Sequence, residues 1–372
     1  MRLIYIHSGM KRFYFFRVDV YQPHQPYKPH KPFRCCFFFL SFMQNAIILS
    51  VGAYAPSRVV DNQYFNELLG EDVGTWLSEN VHIHRRHWCA DDESTADLAE
   101  NAARQALERA GVRPEQIDLI IVATDTPEYI SPSTASVLQY RLGAAKAGTF
   151  DLNTACAGFV TALDTASKYI QADAQYQHIL VVGAYAMSKY LNMADKKTVT
   201  LFADGAGAVV LRAVPREENR GYLAGRLLTH GEYHDWMGIY AGGAHQPVDA
   251  GVLERHEHQL QFVRKFPKEL NPEIWSRLAV ELSERSHTDM NEVTQFFITQ
   301  ININAIWETL DRLNLPHDKA HTIMQEYGYT GSACIPMAFN DAWEKGLVKT
   351  GDTVFFIGSG GGLAFAAAAF RL

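Results

Sequence analysis

The sequence predicts an α/β fold, on three observations. Apolar runs at 117–123 (interrupted only by Asp118) and 179–184 have the make-up of parallel strands buried on both faces. Segments of helical period lie between such runs, the alternation expected of a parallel sheet with crossover helices. The chain's 372 residues are 47% hydrophobic and 20% charged, which allows a sizeable core in one large α/β unit or two ordinary domains.

The elements follow in order. Residues 46–54 read as a buried strand closed by Pro56. Ser94-Thr95-Ala96-Asp97 is a capping box, and Leu98, Ala102, Ala106, Leu107 and Ala110 line one side of the helix it opens. Gly111 stops that helix. After the strand at 117–123, a strand-like stretch leads into Asp151. A helix then carries Val160, Leu163, Ala166 and Ile170. Strands at 179–184 and 208–211 complete the first half. In the second half, 296–298 is a short strand, and a helix through Ile306, Leu310 and Leu313 ends before Pro316. Residues 334–347 form a helix with Pro336 in its first turn, and 354–357 and 363–370 are closing strands. Between Leu223 and Asp289, glycines and Pro247 break the periodicity, predicting loops with one amphipathic helix.

Charge and cysteine usage narrow the class. A net charge of -7 gives no ground for nucleic-acid binding. Cys35, Cys36, Cys89, Cys156 and Cys334 are odd in number and lack zinc or redox spacing, which predicts a reduced, cytoplasmic protein. His82, His84 and His87 form one histidine cluster, and His230, His234 and His245 another. His82 and His84 are expected on one face of a strand, with no third ligand, so no metal site is predicted. Residues 1–42 mix Lys and Arg with Phe, Tyr, Pro and His and read as an extension outside the fold. Phe37-Phe38-Phe39-Leu40 suggests an anchor, but Gln44, Asn45 and the short length argue against stable membrane insertion.

The most telling run is Asp151-Leu152-Asn153-Thr154-Ala155-Cys156-Ala157-Gly158-Phe159. It places one cysteine at a strand-to-helix turn, where free N–H groups and the helix dipole favour a thiolate. Small neighbours leave room for a thioester carbonyl to approach.

Of the flanking segments, the one around Asp204 is specific, while the glycine runs alone are a weak signal. Asp125-Thr126-Pro127-Glu128-Tyr129-Ile130-Ser131-Pro132-Ser133 precedes the cysteine and Phe202-Ala203-Asp204-Gly205-Ala206-Gly207 follows it. Tyr327-Gly328-Tyr329-Thr330-Gly331-Ser332 and Gly358-Ser359-Gly360-Gly361-Gly362 come near the end. In this order the chain, from about Met43 to Leu372, resembles the β-ketoacyl-acyl-carrier-protein synthase III family of thiolase-fold condensing enzymes.

The resemblance implies two similar βαβαβαββ halves, 43–212 and 213–372, stacked as a five-layered αβαβα structure with the active site between them. It implies a homodimer that uses CoA or acyl-carrier-protein thioesters as substrates, without a cofactor. Cys156 matches the nucleophile. Gly361, to within one residue, matches the glycine whose N–H completes the oxyanion hole with that of Cys156. Trp76 matches the tryptophan that stacks on the CoA adenine, and Asn80 stands where the family has arginine. Ser131 replaces the large aromatic that caps the acyl tunnel. Asp204-Gly205-Ala206-Gly207 is expected to be a structural backbone crossing. Gln300 and Asn302 match the Gln and Asn of the family's histidine segment.

Two departures bear on the chemistry. Thr299 occupies the position of the catalytic histidine, and Tyr329 that of the catalytic asparagine. Both hydroxyls can donate hydrogen bonds, but neither is a general base near neutral pH. Self-acylation of Cys156 with slow decarboxylative Claisen condensation is therefore expected. The alternatives are acyl transfer to an oxygen, nitrogen or sulfur nucleophile, and a non-catalytic partner subunit.

Overall fold

The computed structural model describes residues 44–218 and 220–372. The expected extension at 1–42 lies outside the described residues. In the first half the chain forms β1 (Gln44–Tyr54), β2 (Arg58–Asp61), α1 (Asn62–Leu69), α2 (Gly74–Trp76), β3 (Arg85–Trp88), α3 (Thr95–Ala110), β4 (Leu119–Ala123), α4 (Thr134–Leu142), β5 (Gly148–Leu152), α5 (Gly158–Ala172), β6 (His178–Ala186), α6 (Lys196–Val199) and β7 (Asp204–Pro215). The second half contains β8 (Gly221–Thr229), β9 (Met237–Gly238), α7 (Ala250–Glu254), β10 (Gln261–Phe262), α8 (Leu270–Ser286), β11 (Val293–Ile298), α9 (Ile303–Arg312), α10 (Met324–Tyr327), α11 (Cys334–Glu344), β12 (Thr353–Gly360) and β13 (Ala364–Arg371).

The two main sheets repeat one topology. The first has the order β1-β7-β6-β4-β5 and the second β11-β12-β13-β8. In each, one parallel pair (β4 with β6, β11 with β12) is followed by two antiparallel pairs. The second sheet has no full counterpart of β5. A single parallel bridge from Phe296 to Ala320 stands in its place.

Burial sorts the helices into layers. α3 and α4 cover the outer face of the first sheet, packing Leu98, Ala102 and Leu138 on Ile120, Val122 and Leu180. α8 and α9 cover the outer face of the second, with Trp275, Leu278 and Ile306 on Phe296, Phe355 and Ala367. α5 and α11 lie between the sheets, where Phe159, Leu163, Ile335 and Phe339 meet Ala123, Val181, Phe356 and Ala368. The result is the expected five-layered αβαβα arrangement. Among the described residues, no helix is long and apolar enough to cross a membrane.

Local signals mostly hold. Ser94 and Asp97 form the capping box, and Gly111 takes the left-handed C-cap of α3 at φ +62°. Three expectations need correction. β7 runs on to Pro215, so the chain link between the halves comes after that residue rather than at 212. Asp204-Gly205-Ala206-Gly207, expected as a structural crossing, opens β7. Its glycines let α11 approach, since a Cβ on Gly207 would lie 2.6 Å from the Pro336 Cβ. His82 and His84 share no strand: His82 is the left-handed cap of a π-helical turn, Leu77–Val81, and β3 begins only at Arg85. The stretch expected as loops contains β8, a full strand paired with β13. Gly225 hides its pattern. It is required because a Cβ there would lie 2.1 Å from Asp164 Oδ1.

Candidate active site

The turn that carries Cys156 joins β5 to α5. Asn153 Oδ1 accepts from the Ala155 N–H at 3.0 Å, and Ala155 adopts the left-handed region at φ +47°. Such a conformation costs an alanine about 1–2 kcal/mol and turns the chain sharply. Cys156 follows, 3% exposed, and Ala157 then caps α5. The end of β12 lies directly on this turn. A Cβ on Gly360 would be 2.5 Å from the Thr154 oxygen and 2.6 Å from the Cys156 nitrogen, so only glycine fits. Gly361 is next along and faces the same turn, its Cβ direction 4.0 Å from the Ala155 methyl.

The thiol is not held as a thiolate at rest, contrary to expectation. Burial pushes its pKa well above the usual value, and the negative charge of Asp125 adds to this. The Tyr329 hydroxyl, donating toward the sulfur, and the backbone N–H of Cys156 pull the other way without overcoming it. Desolvation at this depth outweighs the helix terminus.

Tyr329 is itself fully enclosed. Its N–H donates to the Leu201 carbonyl at 2.9 Å, and its carbonyl accepts from the Ala203 N–H at 2.9 Å. Its ring lies 5.3 Å from that of Phe202. Burial drives the phenol pKa well up, so the hydroxyl stays protonated and acts as a donor. Tyr185 and Cys334 belong to the same buried cluster as Tyr329 and Cys156. Burial pushes the Cys334 thiol up to about 12.

Thr299 is placed beside this centre but is already engaged. Its Oγ1 accepts from the Ser359 N–H at 2.9 Å and points back to the Ser359 carbonyl at 3.4 Å, tying the end of β11 to the end of β12. Gln300 is also structural. Its Oε1 accepts from the N–H groups of Ile323 and Met324 at 2.8 and 3.1 Å, and its Nε2 donates to the His321 carbonyl. Asn302 is exposed and caps α9, accepting from the Asn304 N–H at 3.0 Å. Neither reaches Cys156 through these bonds.

The remaining expected residues lie at the surface. Trp76 is 55% exposed. Asn80 donates to the Trp76 carbonyl at 3.1 Å, and its own carbonyl accepts from Asn304 at 2.8 Å. Ser131 is exposed and lines a cleft of about 370 Å³ with Thr124, Tyr129, Ile130 and Phe150, beside the free edge of β5. Among the described residues, no group of three or more His, Cys, Asp or Glu side chains is placed to hold a metal ion. The fold thus brings together Cys156, Tyr329, Gly360, Gly361 and, through Ser359, Thr299. Sequence reasoning missed Asp125, Tyr185 and Cys334. The signal for Asp125 was available: an acid two residues beyond the all-apolar strand β4, inside a segment already singled out.

Comparison with known proteins agrees with this architecture. Residues 150–231 match the family model described as 3-oxoacyl-[acyl-carrier-protein (ACP)] synthase III, and residues 283–372 match its C-terminal model. A beta-ketoacyl-[acyl-carrier-protein] synthase III of Staphylococcus epidermidis is 37% identical over 325 residues, covering 87% of this chain and 97% of that protein. The crystal structure of 3-oxoacyl-[acyl-carrier-protein] synthase III from Aquifex aeolicus superposes with a TM-score of 0.78 at 31% identity, covering 88% of this chain and all of that one. The Pseudomonas aeruginosa enzyme gives 0.80 at 30% identity, covering 88% and 98%. The fold is thiolase-like.

Proposed function

Because this chain belongs to the 3-oxoacyl-[acyl-carrier-protein] synthase III family and is an acyl-transferring condensing enzyme of that type, we propose that Cys156 is the residue that carries the acyl group. It takes the group from a CoA or acyl-carrier-protein thioester and passes it to a second substrate, with no metal or organic cofactor. The observation that carries this reading is the Cys156 turn: a left-handed Ala155, a buried thiol facing the Tyr329 hydroxyl, and a glycine strand end on the Cys156 nitrogen. The N–H groups of Cys156 and Gly361 form the oxyanion hole in this reading. Trp76, exposed on the surface, offers an indole face to an adenine, and Asn80 beside it supplies no cation.

Decarboxylation is the slow step. The Thr299 hydroxyl is committed to Ser359, so the position that carries the family's imidazole has no free donor for an enolate oxygen. This favours a second outcome for the acyl group, transfer to an oxygen, nitrogen or sulfur nucleophile without loss of CO₂. Two copies pair through β5 in the proposed assembly. β5 is the unpaired edge of the first sheet, and nearby Ile130 and Tyr140 are each 84% exposed. A reducing, cytoplasmic setting suits the free thiols of Cys89, Cys156 and Cys334.

Intact-mass measurement after incubation with a panel of acyl-CoA and acyl-carrier-protein thioesters tests the reading. One acyl adduct is expected, mapped to Cys156 and absent from Cys156→Ala. The lack of any adduct would leave the non-catalytic partner subunit as the better reading.

A further inference from the structure

Asp125 lies at the carboxyl end of three neighbouring parallel strands. β4 pairs with β5 and β6, with Ala123 opposite both Leu152 and Gly183. Asp125 lies in the bend two residues beyond the end of β4. Residues two apart share a face. Ile121 and Ala123 face the middle layer that also holds Cys156, Tyr185 and Tyr329, and Asp125, just beyond the strand end, is near enough for its charge to act on the thiol. Crevices beyond the carboxyl ends of parallel strands are where α/β proteins place their chemistry.

Its neighbours in the chain are tied down while its own carboxylate is not. The Thr95 hydroxyl donates to the Thr126 carbonyl at 2.6 Å, the Ala186 N–H to Thr126 Oγ1 at 2.9 Å, and the Thr124 N–H to the Leu152 carbonyl at 3.1 Å. Asp125 as a residue is half-buried, yet its Oδ1 is sealed from solvent and has no hydrogen-bond partner among the described residues. An unpaired buried carboxylate oxygen is costly, so its retention calls for a reason. The Asp125 charge acts on Cys156, Tyr185 and Tyr190, and Cys334 and Tyr329 stand behind Cys156. These groups are neutral acids at neutral pH.

We propose that Asp125 is the acid–base group of the acyl transfer, accepting the Cys156 thiol proton as the sulfur attacks the thioester carbonyl. The S–C bond forms as the S–H bond breaks, and the proton goes to Asp125 Oδ1. Collapse of the tetrahedral intermediate breaks the bond to the leaving sulfur, and that thiolate takes the proton back from Asp125. Acyl thioester and thiol become acyl-enzyme and free thiol, with Asp125 restored. The thiol starts neutral, so it needs an acceptor at the moment of attack, which the Thr299 and Tyr329 hydroxyls cannot be. Burial pushes the Asp125 carboxyl up to about 6, which leaves it ionised but basic at neutral pH.

The inference rests on Cys156 being the acylated residue, and two readouts separate it from that reading. In Asp125→Asn, acyl-enzyme formation from acetyl-CoA or octanoyl-CoA should slow about 10²-fold or more. The rise of rate with pH through about 6 in the unmodified protein should vanish with it. Iodoacetamide alkylation of Cys156 should respond in the opposite sense. Its pH midpoint should fall, because the charge that disfavours the thiolate is gone. A purely structural role would not slow one reaction while easing the other. Asp125→Glu keeps the carboxylate and should recover part of the acylation rate, which covers the case in which the amide variant folds poorly. An unchanged acylation rate and pH profile in Asp125→Asn, or an unmoved alkylation midpoint, overturns the proposal. If no thioester acylates the unmodified protein, the reading of the reaction fails, and the alkylation midpoint alone decides whether Asp125 governs the Cys156 proton.

Discussion

Before α5 the left-handed position is held by Ala155 at φ +47°, and before α11 it is held by Gly331 at φ +48°. These are corresponding turns of the two halves, each feeding one of the two helices of the middle layer. At Gly331 a Cβ would sit 2.4 Å from the ring of Tyr185, so the residue must be glycine for reasons of space as well as strain. At Ala155 the chain accommodates a methyl, and even a Cβ on Gly361 would lie 4.0 Å from it. The cysteines are placed differently too. Cys156 directly follows the strained residue and precedes the helix, whereas Cys334 comes three residues later and is already its first residue. Backbone N–H groups of Gln300 and Ile335 act on the Cys334 sulfur, while Cys156 faces a phenol and a carboxylate. One turn holds its cysteine as packing; in the proposed reaction the other presents it for chemistry.

The first way to break the comparison is to give both turns the same residue. Gly331→Ala should destabilise the protein by about 2–5 kcal/mol, the sum of left-handed strain and overpacking against Tyr185. Denaturant unfolding measures this directly. A loss below about 1 kcal/mol would mean that the ring moves aside freely and that space does not set the residue at this turn.

A smaller effect is expected where the two turns meet, at Tyr329. Thr299→His with Tyr329→Asn removes the phenol from Cys156 and places imidazole and amide donors at the enolate site. Restoring even one fixed donor should raise release of labelled CO₂ from a malonyl thioester about 10–10²-fold, somewhat below the usual effect of an oxyanion donor because the Ser359 tie is lost. If the unmodified protein, already acylated at Cys156, releases CO₂ at the rate of the double variant, then the engaged Thr299 hydroxyl is no obstacle to condensation.

How much of this was legible in the sequence follows from the range of the forces involved. Caps and apolar runs act within a turn or a strand, so the Ser94 box, Gly111 and β4 could be read from composition. β8 could not, because Gly225 is set by Asp164, far away in the chain. The identity of Cys156 was carried by its neighbours Ala155, Ala157 and Gly158, but its protonation state was not. That depends on burial and on Asp125, which only the folded sheet brings close. At Gln300 and Asn302 the limit is of another kind: their place in a motif says nothing of whether their polar atoms are already used. Both are spent on holding the chain, Gln300 on the Ile323 and Met324 N–H groups and Asn302 on the cap of α9.

The finest test addresses the strain at Ala155 itself. Replacing it by glycine removes a left-handed penalty of about 1–2 kcal/mol and adds about 0.5–1 kcal/mol of unfolded-state entropy. Ala155→Gly should therefore be neutral to about 1.5 kcal/mol stabilising, in contrast with the large loss expected of the reverse change at Gly331. Acylation of Cys156 should nevertheless fall a few-fold, because the methyl group stiffens the turn that aims the thiol and a looser turn spends less time in line with its donors. Stability from denaturant unfolding and the rate of acyl-enzyme formation measure the two sides separately. Should Ala155→Gly lose more than about 1 kcal/mol, the alanine methyl contributes packing that outweighs its strain, and the two turns differ in kind rather than in the room left beside them. Stability gained with no loss of rate would mean that the left-handed alanine has no part in positioning the nucleophile.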